Sequence, residues 1–248
     1  MSRFGCAVRE LSAAQKPAKG VSLYSRYVNR PAGRILAAAS YSVKLTPNQV
    51  TVISAVFTFS GVVMIAALRP SAATALAVFL VLFLGFALDS ADGQLARLTG
   101  TGSSAGEWLD HVVDCAKMLA LHMAVLVSFH RHFGFSNSLL LLVPIAFQCA
   151  AVLVFFGGVL TEQLKRAERL RSGAGGRPAP APPASLVRSV VLLPVDYGVL
   201  CAVFLLFGSR ALFVGAYCGL LVAHVLFMVA FLVKWYRELS APGRTAES

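Results

Sequence analysis

The sequence predicts an all-α integral membrane protein, a bundle of six transmembrane helices preceded by an amphipathic juxtamembrane helix. Three observations lead there. The chain is 57% hydrophobic and 13% charged, with a mean hydropathy of +0.73, whereas soluble domains are near a quarter charged. Apolar runs recur at 50–68, 71–88, 116–129, 138–160, 186–208 and 211–233. Each is near the ~20 residues a helix needs to cross about 30 Å of hydrocarbon, and none alternates as a membrane-barrel strand does. Basic residues are also segregated. Eight Lys/Arg lie in 1–45, six in 161–188 and three in 234–248, against Arg69, Arg131 and Arg210 in the alternate turns. That bias places the N-terminus and the even turns in the cytoplasm. Interruptions in several runs leave five or seven spans open beside six.

The elements follow in order. Residues 1–45 contain no apolar core of a secretory signal and read as a cytoplasmic segment, loose over 1–20. Over 21–45, Leu23, Tyr24, Tyr27, Val28, Ile35 and Leu36 interleave with Arg26, Arg30 and Arg34. This suits a helix lying on the cytoplasmic leaflet, bent or broken at Pro31 and Gly33. "TPNQVT" (46–51) starts the first span, with Thr46 as cap and Pro47 where proline costs least. "LRPS" (68–71), "TGTGSS" (99–104) and "HRHFGFSN" (130–137) are turns. "GAGGRPAPAPPA" (173–184) is a linker too poor in apolar side chains to pack. Residues 46–239 form one six-helix domain without a repeat, and 240–248 form a cytoplasmic tail. Cys6, Cys115, Cys149, Cys201 and Cys218 are scattered without a CxxC pair, so neither a disulfide framework nor a zinc site is expected. The net charge of +11 is accounted for by topology and by contact with anionic lipid. No nucleic acid is expected as a partner, because no basic–aromatic module occurs.

Four of the five aspartates lie in "DSADGQLARLTGTGSSAGEWLDHVVD", residues 89–114. On helices, Asp89 and Asp92 are i, i+3 and Asp110 and Asp114 are i, i+4, so each pair shares a face. The first pair closes the second span and the second pair opens the third. A short turn makes the helices antiparallel neighbours, so four carboxylates converge near the cytoplasmic end. Such a group is costly to desolvate and needs cations, and Arg97 alone is too few. Hard divalent ions suit carboxylate oxygens, which can bridge two of them. Gly93, Ala96 and Gly106 strip side chains from the same faces. That allows close helix packing and equally leaves room for a ligand. The bland alternative for the whole cluster is a solvated helix end.

The pattern Asp89-x2-Asp92-Gly93-x2-Ala96-Arg97-x8-Gly106-x3-Asp110-x3-Asp114 resembles the signature of the CDP-alcohol phosphotransferase (CDP-alcohol phosphatidyltransferase) family at every fixed position and gap. "YSRYVNRPAGR" and "TPNQVT" are similar to the leader of its inositol-phosphate-type phospholipid synthases. The resemblance implies transfer of a phosphatidyl group from CDP-diacylglycerol to a small alcohol with release of CMP. It implies two divalent ions, Mg²⁺ or Mn²⁺, held by Asp89, Asp92 and Asp110 with Asp114 adding a contact. It makes Asp114 the general base and places Asp92, Gly93, Ala96, Arg97 and Gly106 at the donor nucleotide. A homodimer is implied by the resemblance alone. The protein is then expected to be multi-pass in the cell (plasma) membrane, with its site facing the cytoplasm.

The chemistry is coherent from first principles. Two ions clamping a pyrophosphate stabilise the leaving CMP, a planar guanidinium suits phosphate oxygens, and a carboxylate must take the acceptor's proton. A single direct displacement is expected. Lys117, Arg166 and Asp196 are candidates for the acceptor pocket. Lys117 alternatively neutralises the cluster or snorkels. Asp196, inside the fifth span, alternatively pairs with a buried cation. Thr46, Pro47 and Asn48 either line the cytidine or merely start a helix. Glu107 is either a neighbour of the cluster or an exposed helix end. His111 points to another face, and His122 and His224 read as satisfied bundle residues. The leader favours a polyol phosphate acceptor, inositol phosphate or glycerol phosphate, with serine or an aminoalcohol left open. A carboxylate-based divalent-cation transporter would place its carboxylates near the midplane with repeat symmetry, which this sequence lacks. A non-catalytic membrane scaffold has no reason to hold the complete motif.

Overall fold

The structure is a computed structural model that describes residues 3–13, 21–135, 139–172 and 185–240. The described residues contain helices and no strands. Helix α1 (Arg3–Ala13) is followed by a π-helical turn (Ser25–Asn29) that runs into α2 (Arg30–Ser42). The long helices are α3 (Pro47–Ala67), α4 (Ala72–Thr99), α5 (Ser104–Arg131) and α6 (Leu142–Arg171). Two short helices follow, α7 (Leu186–Val191) and α8 (Tyr197–Val203), and then the long α9 (Arg210–Ser240). The 173–184 linker and the tail from 241 lie outside the described residues.

Helix α3 starts where the sequence predicts, with a complete capping box. Thr46 Oγ1 accepts from Gln49 N at 3.3 Å, Gln49 Oε1 accepts from Thr46 N at 2.9 Å, and Pro47 takes the first turn. Its buried face is Val50, Thr51, Ser54, Thr58, Gly61 and Ile65, the 3–4 spacing of one helical stripe. That stripe packs on α4. A Cβ on Gly61 would lie 2.8 Å from the Leu82 side chain, and one on Gly85 would collide with Thr58 Oγ1. Ser54 Oγ therefore reaches the Gly85 carbonyl at 2.8 Å. Small residues at the crossing let the two backbones meet.

Helix α4 ends at Gly100, whose φ of +66° no β-carbon residue adopts cheaply. Ser103 then caps α5 by accepting from Gly106 N at 3.1 Å. About twenty residues separate Ala72 from Asp92, about the length that crosses the hydrocarbon, so the motif is carried at the far end of α4. At the far end an aromatic core joins α5, α6 and α9: Phe129, Phe133, Phe135, Phe147, Phe207, Phe213 and Tyr217 are all buried. Most of its ring pairs meet edge-on or tilted.

Five helices, α3, α4, α5, the 139–171 helix and α9, are long and apolar enough to cross a membrane. The predicted fifth span, 186–208, is not continuous. It breaks into α7, a 3-10 turn (Leu193–Val195), α8 and a second 3-10 turn (Phe204–Leu206). Pro194 has no N–H for a helical bond, and Asp196 is extended (ψ 129°) and caps a new helix by accepting from Gly198 N at 2.7 Å. Irregular backbone at membrane depth must be covered by protein. Here the cover is the leader: Ser22 and Ser25 donate their hydroxyls to Asp196 Oδ2, the latter at 2.6 Å, and the Tyr24 ring occupies the space a Cβ on Gly198 would take.

The N-terminal segment differs from expectation in two ways. Residues 3–13 are helical rather than loose, because Ala7 and Leu11, one turn apart, are buried with Ala37, Ala38, Val50, Ala91 and Leu95. The leader helix also does not break at Gly33. The π turn ending just before Arg30 absorbs the missing Pro31 N–H. Gly33 is buried because a Cβ there would lie 2.7 Å from Ser90 Oγ on α4.

Candidate active site

Asp89, Asp92 and Asp110 converge as the spacing predicts. Each offers a carboxylate oxygen, and these oxygens lie within 4.8 Å of one another. Antiparallel α4 and α5 present them from facing sides. Asp92 is buried, and Thr51 Oγ1 donates to its Oδ2 at 2.5 Å. Asp114, one turn deeper on α5, is reached by the Lys117 ammonium at 3.3 Å, and the same ammonium is paired with Asp89. Lys117 Nζ also donates to Ser54 Oγ at 3.1 Å. Lys117 thus neutralises the deep side of the cluster. On the shallow side Asp92 and Asp110 line a cavity with Arg97.

Three carboxylates this close repel one another in a partly buried site, and the Lys117 ammonium is bound to Asp89 and Asp114. All-oxygen donors from two rigid helices fit a hard divalent cation. At the start of α5, Gly106 makes room for the Asn48 side-chain amide oxygen, from which a Cβ would lie 2.9 Å.

Three cavities meet the cluster: one of about 210 Å³ beside Arg30, Ser90 and Gln94, and a shallower and a deeper one. The shallower, about 450 Å³, is lined by Pro47, Asn48, Thr51, Asp92, Gly93, Ala96, Arg97, the 101–104 turn, Gly106, Glu107, Asp110 and Arg166. The deeper, about 190 Å³, is lined by Thr58, Phe86, Asp89, Asp114, Lys117, Met118, Phe155 and Tyr197. Every motif residue therefore borders the shallower or the deeper cavity. Arg97 is exposed and makes no ion pair among the described residues, which leaves its fork available to phosphate oxygens. Arg166 sits at the mouth of the shallow cavity, 3.3 Å from Glu107.

Other expected residues go elsewhere. Asp196 is bound to the leader and to Gly198 and lines none of the three cavities. His111 lies against the Phe155 ring. His122 pairs with the Tyr217 hydroxyl at 2.6 Å and His224 with the Leu220 carbonyl at 3.1 Å. The four cysteines whose side chains are described are free. Thr51, Ser54, Thr58 and Tyr197 were not singled out by the motif. The first three carry a signal in the sequence all the same, a hydroxyl stripe at 51, 54 and 58 through a mostly apolar span.

The profile of the CDP-alcohol phosphatidyltransferase family matches residues 44–236. A CDP-diacylglycerol–serine O-phosphatidyltransferase of Encephalitozoon cuniculi is 39% identical over 92 residues, covering 36% of this chain and 23% of that protein. The chain thus aligns with under a quarter of the relative's length. Two crystal structures of Mycobacterium tuberculosis phosphatidylinositol phosphate synthase share the fold. The one with CDP-DAG bound has a TM-score of 0.56 at 20% identity, covering 89% of this chain and 98% of that one. The one in complex with manganese and citrate has a TM-score of 0.57 at 18% identity, covering 89% and 93%. A family match that spans most of the chain, including all four convergent aspartates, makes this multi-pass membrane protein a member of the CDP-alcohol phosphatidyltransferase family.

Proposed function

We propose that the protein transfers a phosphatidyl group from CDP-diacylglycerol to the hydroxyl of a small alcohol and releases CMP. The observation that carries this is the convergence of Asp89, Asp92 and Asp110 within 4.8 Å beside a cavity bordered by Gly93, Ala96, Arg97 and Gly106. Asp89, Asp92 and Asp110 would hold two divalent ions, Mg²⁺ or Mn²⁺, with Asp114 adjoining. When bound, such ions neutralise the pyrophosphate and stabilise the leaving group.

The chain's own residues do the rest. Gly93, Ala96 and Gly106 let the nucleotide approach the backbone of α4 and α5. Arg97 holds phosphate oxygens, and Asn48 and Pro47 close the far wall. Thr51 fixes the Asp92 carboxylate by its hydrogen bond. The acceptor oxygen bonds to the lipid-side phosphorus as the bond from that phosphorus to the CMP oxygen breaks. Asp114 takes the acceptor proton, and Lys117 keeps that carboxylate oriented. No covalent intermediate is needed. The cytoplasmic face of the cell membrane is the site's location on this reading, because 17 of the 22 Lys/Arg lie in the stretches 1–45, 161–188 and 234–248, which the positive-inside bias assigns to the cytoplasm. A homodimer is carried by the family resemblance, and detergent-corrected light scattering tests it.

The acceptor is a polyol phosphate, inositol phosphate or glycerol phosphate. The leader's likeness to inositol-phosphate-type enzymes supports this, as do Arg97 and Arg166 at the shallow cavity. Serine is the second reading, favoured by the named activity of the Encephalitozoon relative. CMP release from CDP-diacylglycerol by purified protein with Mg²⁺ or Mn²⁺, across inositol phosphate, glycerol phosphate, inositol, serine and ethanolamine, decides between them. Release stimulated only by the phosphorylated polyols supports the first, and release with serine alone replaces it by the second. Metal flux into proteoliposomes without CDP-lipid, and no CMP release, would overturn both.

A further inference from the structure

The deeper cavity is a built site whose wall, apart from Asp89 and Asp114, the motif does not explain. Its wall carries two buried hydroxyls, Thr58 Oγ1 and Tyr197 Oη, with no hydrogen-bond partner among the described residues. Ser54 reaches across to Gly85 and the Ser128 hydroxyl has no partner among the described residues, but several other helical Thr and Ser residues turn their hydroxyls back onto the preceding turn, as Thr99 does to the Leu95 carbonyl (2.9 Å), Thr161 to Gly157 (2.6 Å) and Ser60 to Val56 (2.7 Å). Thr58 does not. Tyr197 Oη has the Cys201 thiol beside it, a weak partner, with the Asp89 and Asp114 carboxylates nearby. Buried hydroxyls are rarely left unsatisfied. Two in one wall, next to the Lys117 ion pairs, mark a place where a ligand supplies the missing partners.

We propose that this chamber receives the reacting, hydroxyl-bearing end of the acceptor, with the hydroxyls of Tyr197 and Thr58 as its specificity-determining groups. The assignment rests on the transferase reading above. The chamber reaches deeper than the shallow cavity on each helix: Thr58 lies two turns beyond Thr51, Asp89 and Phe86 lie about one and two turns before Asp92, and Asp114 and Met118 lie about one and two turns beyond Asp110. An alcohol held there reaches Asp114 from the side opposite the nucleotide cavity. Lys117 is the one cation in its wall and is held by Asp89, Asp114 and Ser54. The chamber therefore suits an uncharged, hydroxylated carbon skeleton, with Phe86, Met118 and Phe155 against its C–H faces. The charged part of the acceptor stays outside, towards the shallow cavity. Tyr197 and Thr58 donate to acceptor oxygens and lose no proton.

The tyrosine is held in place from outside the chamber. It is the first residue of α8, whose cap is Asp196, and Asp196 is clasped by Ser22 and Ser25 of the leader. The Phe86 ring meets the Tyr197 ring at 5.1 Å and 67°.

The test is steady-state CMP release by the full chain in detergent, at saturating CDP-diacylglycerol and varied acceptor, for Tyr197→Phe and Thr58→Val. Each variant removes an orphaned hydroxyl, so the thermal midpoint should hold or rise, and the KM for CDP-diacylglycerol should not move. The acceptor KM should rise about tenfold, the worth of one buried hydrogen bond. A purely structural role would lower the midpoint and leave the acceptor KM alone. Variants with an acceptor KM within about twofold of wild type overturn the chamber assignment while leaving the transferase reading intact. A wild type that releases no CMP with any acceptor overturns both. Thr58 and Tyr197 lie on different helices, so one variant decides the matter if the other does not fold.

Discussion

At the scale of single residues, the site depends on how each carboxylate is held. Asp92 is fixed by one hydroxyl, Thr51, at 2.5 Å. Thr51→Val keeps the shape and removes the donor. A hydrogen bond to a charged group is worth about 1.5–3 kcal/mol, so Mn²⁺ affinity, read by titration, should fall at least about tenfold. Asp114 is expected to act differently. Asp114→Asn should leave the KM for the donor nearly unchanged and lower kcat by about 10²-fold or more, the usual contribution of a general base. The motif's own residues were legible because carboxylates are so rare in this chain and their 3–4 spacing fixes a face. Thr51, Ser54 and Thr58 were harder to see, since a hydroxyl in an apolar helix ordinarily just bonds its own preceding turn.

At the scale of elements, the broken 186–208 segment is the informative one. Its hydropathy reads as a span, and Pro194 and Asp196 signalled that it opens. The partner of Asp196 was not legible, because Ser22 and Ser25 are some 170 positions away and unremarkable in composition. Asp196→Ala leaves two hydroxyls and the Gly198 N–H without their acceptor. It should cost about 1–3 kcal/mol of stability, seen as a lower thermal midpoint with the long helices retained by circular dichroism. Tyr24 offers a pH test of the same clasp. Burial, then the nearby Cys201 and Asp196, push its phenol up to about 12 from an ordinary value of 10.0. The folded state therefore holds this proton more tightly than the unfolded chain. Its stabilisation is complete below pH 10 and is lost as pH rises through 12. Wild type should lose stability over that window relative to Tyr24→Phe, and equal pH profiles would contradict the docking of Tyr24 on Gly198. Helix α1 is not legible in the sequence for a related reason: eleven residues with two buried side chains, Ala7 and Leu11, give little periodic signal until α2 and α4 are there to receive them.

At the scale of the whole molecule, the bundle has a polar end and an apolar end, and the chain's charge and aromatic content sort accordingly. The basic stretches collect at the motif's end. The phenylalanine-rich core of α5, α6 and α9 closes the other, where Arg210 lies 4.2 Å from the Phe135 ring centre. In a background with the native cysteines replaced, single cysteines at 69 or 131 should be labelled by an impermeant reagent from outside intact cells, and one at 169 only after lysis. The reverse pattern would turn the site to the outside.

The central claim is that the aspartate cluster is a metal-dependent phosphatidyl-transfer site, and CMP release from CDP-diacylglycerol against free Mn²⁺ tests it most directly. The expected result is no release with a chelator, saturable activation by Mn²⁺ in wild type, a metal requirement shifted upward in Asp92→Asn, and metal binding without release in Asp114→Asn. Release that persists in the chelator, or that survives undiminished in Asp114→Asn, would contradict the account.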